Sequence, residues 1–95
     1  MADDRQMLED VARRTFARAA LTRLDRAWPE TATLDIFSLG AGTDEHQFAL
    51  DVQFLVDQGL VQYELVMIAG MRSLYRYASI TQHGRELMRS LRARA

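Results

Sequence analysis

The sequence predicts a small α+β fold in which helices precede a β-hairpin and one further helix follows it. Strong helix formers occupy residues 4–28 without an internal glycine or proline. Two segments rich in Val, Ile, Leu and Tyr, residues 60–68 and 72–80, flank a turn at Ala69–Gly70. The 95 residues suit one domain with a single modest core.

The N-terminal segment has two apolar faces. At 100° per residue, Leu8, Val11 and Phe16 share one face, whereas Leu21 and Leu24 lie on roughly the opposite side. We therefore divide the chain into an N-terminal helical extension, residues 1–16, and a domain over residues 17–95. The extension predicts a homodimer interface through its apolar face. A bend that brings both halves into one core is an equally weighted alternative.

The next signals predict a short second helix. Pro29 ends the first helix, and Thr31 or Thr33 can cap a helix that runs to Leu39. Two glycines in residues 40–42 then predict a turn.

A third helix is expected over residues 43–59. Thr43 is the predicted N-cap, and Asp44 and Glu45 in the first turn complement the helix dipole. Gly59 is the expected left-handed terminator.

The second hairpin strand, Arg72–Ile80, is followed by a last helix. Thr81 is the predicted cap of this helix, which we expect from Gln82 to about Arg92.

Three short stretches resemble winged helix-turn-helix proteins, and the resemblance covers residues 17–92. Leu55–Val61 is similar to the end of their third helix where it enters the wing. Ile80–Gly84 is similar to the Leu/Ile-Thr-x-x-Gly element that closes the wing in many bacterial and phage regulators, and Leu21–Leu24 matches the core positions of their first helix. The resemblance implies a winged helix, with three helices, a β-hairpin wing and a C-terminal helix. It also implies a homodimeric, DNA-binding transcriptional regulator.

The charge distribution conflicts with the usual mode of DNA recognition. Residues 27–71 hold seven acids and no Lys or Arg, and the predicted third helix carries only acidic charges. Winged-helix proteins typically place that helix in the major groove, where acids repel the phosphates. We therefore expect DNA contacts elsewhere: at Arg72 and Arg76 in the hairpin and at Arg85 and Arg89 in the last helix. From the third helix only Gln47 and Gln53 are expected to contribute, by pairing with adenine edges. A solvated helix face is the simpler interpretation of the C-terminal arginines.

The outward face of the third helix suggests a second function. Leu50 and Phe54 stand one turn apart near its centre, with Asp51 at its edge. An apolar pair among acids is typical of a contact with a basic protein or a second copy, so a protein–protein interaction module is the alternative. Burial of both residues under a neighbouring element is weighed equally.

Other function classes lack support in the sequence. The chain has no cysteine, and His46 and His83 are not at ligand spacing, so we expect neither a metal nor another cofactor. The sequence contains neither a glycine-rich phosphate loop nor a nucleophile–base pattern, so we do not expect an enzyme. No long apolar run indicates a membrane span, so a cytoplasmic location is expected.

Overall fold

The computed structural model describes residues 3–94, which form an α+β fold with five helices and a four-stranded antiparallel sheet. The elements, in chain order, are α1 (Asp3–Arg13), α2 (Thr15–Ala27), β1 (Ala32–Leu34), α3 (Ile36–Leu39), α4 (Glu45–Asp57), β2 (Val61–Gln62), β3 (Leu65–Ala69), β4 (Arg72–Ile80) and α5 (Gln82–Arg94). None of the helices in this range combines the length and the apolar character needed to span a bilayer.

The N-terminal segment breaks into two helices at Arg14, and both pack into one core. Val11 and Phe16 are buried, and Leu8 packs against the same core cluster. The bend is therefore the correct alternative. The expected dimer interface through Val11 and Phe16 is wrong, because these side chains fill the interior of a single chain.

Residues 31–39 form a strand and then a helical turn, not one capped helix. Ala32 pairs with Ala78 and Leu34 with Tyr75, which makes this segment the edge strand β1. Asp35 then caps α3, where its Oδ1 accepts the backbone N–H of Ser38 at 2.8 Å. The predicted Thr31 or Thr33 cap is wrong because pairing with a distant strand overrides the local signal.

The helix α4 begins one residue later than predicted and ends as expected. Asp44, not Thr43, is the N-cap, because its Oδ1 accepts the backbone N–H of Gln47 at 3.1 Å. Gly59 follows with φ of +71°, which confirms the predicted left-handed terminator.

The long strand β4 is the centre of the sheet. The strands β2 and β3 both pair with one side of β4 and continue the same register, although the pairing is interrupted between Gln62 and Leu65. The strand β1 pairs with the other side of β4. The β1–β4 register shifts by one residue, and nearby Tyr77 has φ of +57°. The bulge comprises the exposed residues Arg76 and Tyr77, which lie between buried Tyr75 and buried Ala78.

The two sequence motifs at the wing contact each other. The Thr81 hydroxyl donates to the carbonyl of Gly59 at 2.7 Å and accepts the backbone N–H of Gly84 at 3.0 Å. A Cβ on Gly84 would lie 2.3 Å from the Leu60 carbonyl oxygen. The Thr-x-x-Gly spacing therefore caps α5 and lets it approach the backbone that leads into β2.

Candidate functional site

The outer face of α4 is only partly open. Leu50 is 47% exposed, whereas Phe54 is half-buried beneath the guanidinium of Arg14, whose carbon lies 4.3 Å from the ring centroid. The two residues therefore do not form one free apolar patch. Leu50 is the open member, and Phe54 is held between the core and an arginine.

Asp51 is not at the edge of this face but fully buried. Its Oδ2 accepts the backbone N–H groups of Phe16 at 3.1 Å and Ala17 at 3.3 Å. Its Oδ1 accepts from Arg14 Nη1 at 3.0 Å and Gln47 Nε2 at 2.8 Å. The residue that precedes α2 makes no side-chain cap of its own. Asp51 thus caps α2 from another helix, and its charge complements the helix dipole.

The two glutamines on α4 are engaged with acids of the same helix. The amide of Gln47 donates to Asp51, and Gln53 Nε2 donates to Asp57 Oδ1 at 2.7 Å. To contact an adenine edge, either amide would have to leave its carboxylate. The side chains expected to read bases are therefore poorly placed to do so.

The C-terminal arginines divide into fixed and open groups. Arg85 lies over Trp28, with 3.7 Å from its guanidinium carbon to the ring centroid, and its Nε is 3.5 Å from Asp25 Oδ1. Arg92 pairs with the same carboxylate, whereas Arg89 is exposed. Arg85 therefore fastens α5 to α2, and it is a poor phosphate ligand because its side chain is held between the Trp28 ring and the Asp25 carboxylate.

The hairpin arginines are exposed and rest on aromatic rings. The guanidinium carbon of Arg72 lies 4.3 Å from the Phe37 ring centroid, and that of Arg76 lies 5.3 Å from the Tyr77 centroid. Stacking uses the face of a guanidinium and leaves N–H groups at its edge for other acceptors. Both side chains remain able to contact an anion.

A basic groove runs along α2, and the sequence interpretation did not single it out. We name it the α2 groove. Its volume is about 520 Å³, and its described lining residues are Ala12, Thr15, Arg18, Ala19, Thr22, Arg23, Arg26, Ser38, Leu39 and Ala41. The positions taken from α2 recur at spacings of three and four, which places them on one helix face. Among these lining residues there is no acid, so three arginines face a common open space without a neutralising carboxylate in its wall.

The arginines of the α2 groove differ in how firmly they are held. Arg23 Nε donates to the Thr33 carbonyl at 3.2 Å, which fixes its side chain at the groove wall. Arg18 and Arg26 are exposed. A helical wheel of α2 places these arginines on one face, but the acid Asp25, which stands between Arg23 and Arg26, obscures this pattern in the linear sequence.

The short helix α3 connects the α2 groove with the hairpin. Ser38 and Leu39 line the groove, while the preceding residue, Phe37, carries the stacked Arg72. Basic side chains therefore stand on both flanks of α3, and Arg72 extends the positive surface beyond the groove.

No family model, curated protein or solved structure matches this chain. Among the side chains that the structure describes, residues 5–94, no group of three or more His, Cys, Asp or Glu is arranged to hold a metal ion. The surface chemistry described above is therefore the basis for assigning a function.

Proposed function

We propose that the chain is a non-catalytic winged-helix protein that regulates transcription by binding DNA through its phosphate backbone. The observation that carries the proposal is the α2 groove, where Arg18, Arg23 and Arg26 share an open surface. Arg72, on the other flank of α3, extends the contact. The winged-helix assignment is supported by the order of elements, in which the helices α2, α3 and α4, with the short strand β1 among them, precede the hairpin and α5 follows it.

The groove chemistry suits phosphates. Arg18 and Arg26 are eight residues apart on α2, which corresponds to about 12 Å along the helix axis. That length spans several phosphates, since each strand of duplex DNA carries one for about every 3.4 Å of axis. Planar guanidinium groups bind phosphate oxygens through two N–H groups, and the hydroxyl of Thr15 adds a neutral donor.

The acidic character of α4 argues for weak base discrimination. Its amides are bonded to Asp51 and Asp57, and it carries no arginine or lysine. Phosphate contacts position a protein on DNA but carry no sequence information directly. We therefore expect binding that depends strongly on salt and weakly on sequence.

Fluorescence anisotropy with a labelled duplex, repeated from about 50 to 200 mM salt, tests this proposal. The variant Arg18→Gln with Arg26→Gln should lower the slope of log K against log salt by about 1 for each arginine removed. Arg5→Gln with Arg94→Gln makes the same charge change at exposed positions outside the groove, and should change the slope less.

Two results would contradict the proposal. Failure of the wild-type protein to bind duplex DNA at low salt would exclude the DNA-binding function. An equal decrease of this slope in both double variants would show that overall charge, and not the α2 groove, determines binding.

A second candidate function is recognition of a basic protein by the outer face of α4. It is favoured by the exposure of Leu50 on a helix whose charges are all acidic. Because Phe54 is held beneath Arg14, Leu50→Ser is the cleaner test. It should abolish a complex with such a partner in a pull-down while leaving the fold and DNA affinity unchanged.

A further inference from the structure

The strand β3 is the most exposed apolar element among the described residues. All five of its residues are exposed and uncharged, with Ile68 72% exposed, and Met71 in the adjoining turn is 88% exposed. We propose that β3 pairs antiparallel with β3 of a second copy, which joins the two sheets across a two-fold axis.

The hydrogen-bonding edge of β3 is available for such pairing. Its only strand partner among residues 3–94 is β4, in a register that runs from Leu65 opposite Arg76 to Ala69 opposite Arg72. In a hairpin closed by two residues, pairs alternate between hydrogen-bonded and non-hydrogen-bonded. The backbone N–H and C=O groups of Val66 and Ile68 therefore point away from β4, where another strand can bind them.

The side chains of β3 also lack the features that protect an isolated edge. Alternation places Leu65 and Met67 on one face and Val66 and Ile68 on the other, so both faces are apolar. Such strands are typical of sheet interiors that are covered on both sides. Protected edges carry charges or proline, and neither occurs between Glu64 and Arg72.

The occupant that fits this edge is the same strand of a second copy. Antiparallel pairing about Met67 places Leu65 opposite Ala69 and Val66 opposite Ile68. Apolar residues therefore face apolar residues at every pair, and the arrangement has two-fold symmetry. Glu64 of each copy then lies at the level of the turn in the other copy. The turn is followed directly by Arg72, which places opposite charges at both ends of the paired segment.

The exposed apolar area of β3 and its turn is a large part of what a dimer interface needs. The exposed fractions of Leu65, Val66, Met67, Ile68 and Met71 together correspond to about three whole apolar residues. At roughly 150–200 Å² for a large apolar residue, this gives about 500 Å² per copy. A typical stable interface buries about 800 Å² per partner. The apolar part alone supplies more than half of that area.

The oligomeric state tests this proposal independently of DNA binding, because β3 shares no residue with the α2 groove. In size-exclusion chromatography with light scattering between roughly 1 and 500 μM, a range that brackets a moderate Kd, the wild-type mass should correspond to a dimer. Ile68→Lys should shift the protein to a monomer. Leu50→Lys, the same change at an exposed apolar residue of α4, should leave the dimer intact. A monomeric wild type, a dimeric Ile68→Lys or a monomeric Leu50→Lys would overturn the pairing.

Disulfide cross-linking provides a second test that does not require lysine in the strand. The chain has no native cysteine. In the proposed register Met67 faces its own copy in a non-hydrogen-bonded pair, with Cα atoms about 4.5 Å apart, which a disulfide can span. Mild oxidation should therefore link Met67→Cys into a covalent dimer faster than Leu50→Cys. Equal or slower cross-linking at position 67 would refute the register and the interface.

Discussion

Replacement of Asp51 by asparagine tests whether a single buried carboxylate joins α2 to α4. The substitution preserves side-chain shape but converts one acceptor oxygen into an NH₂ donor. All four partners of Asp51 are donors: two backbone N–H groups at Phe16 and Ala17, the guanidinium of Arg14 and the amide of Gln47. Whichever way the asparagine is oriented, its NH₂ group faces donors.

The expected loss of stability follows from the orientation of the asparagine amide that breaks fewer important hydrogen bonds. With the amide oxygen in the place of Oδ2, the N–H groups of Phe16 and Ala17 keep an acceptor, whereas Arg14 and Gln47 lose theirs. Hydrogen bonds to charged groups contribute about 1.5–3 kcal/mol each. The Arg14 side chain is 37% exposed and can turn towards water, which reduces the cost. We therefore expect the free energy of unfolding to fall by about 2–4 kcal/mol, or Tm by roughly 10–20 °C.

Urea denaturation followed by circular dichroism measures this difference. Asp57→Asn is the matched control, because Asp57 lies on the same helix, is exposed and accepts one hydrogen bond from Gln53. It should remain close to wild-type stability. A loss below about 0.5 kcal/mol for Asp51→Asn, the range of ordinary surface substitutions, would refute the role of Asp51 as the cap of α2.

Two further predictions concern α5 and the hairpin. Gly84→Ala should lower the free energy of unfolding by about 1–3 kcal/mol in the same assay, because the new Cβ would lie 2.3 Å from the Leu60 carbonyl oxygen; unchanged stability would disprove the close approach. Burial, with a smaller contribution from Tyr63, raises the pKa of the Tyr75 phenol above its usual value. The contribution of Tyr75 to the free energy of unfolding is therefore complete below about pH 10, the usual pKa of a tyrosine. It is lost as the pH rises through the higher pKa that Tyr75 has in the folded protein. Ultraviolet titration should show one tyrosine that ionises at higher pH than the others, and this late step should be missing in Tyr75→Phe. Simultaneous ionisation of all three tyrosines in the wild type would contradict this.

Features that depend on neighbouring residues were predictable from the sequence. The strand Arg72–Ile80 has the predicted bounds, Gly59 ends α4 in the left-handed conformation, and Thr81 caps α5. Each of these signals acts over a few residues, through a β-rich composition, a positive φ or a hydroxyl near a free N–H. The α+β class follows from them.

Features that depend on distant residues were not predictable. The strand β1 exists because Leu34 pairs with Tyr75, and the helical wheel alone could not place Asp51 against the start of α2. A helical wheel shows on which face of α4 each side chain lies, but it does not show which other elements pack against that face. For the same reason the sequence leaves a dimer interface and a single core as equal alternatives for Val11 and Phe16, and only the structure shows that both belong to the core.

The amino-acid order was sufficient to establish that α4 carries only acidic charges, and it predicts that the charged contacts to DNA come from other elements. Only the tertiary structure could distinguish the arginines, because each charge depends on what the fold brings beside it. Arg85 is held by Asp25 and Trp28, which lie far from it in the chain, whereas Arg18 and Arg26 face an open groove whose described lining contains no acid. Sequence determines which charges are present; folding determines which of them are neutralised by distant partners and which face solvent.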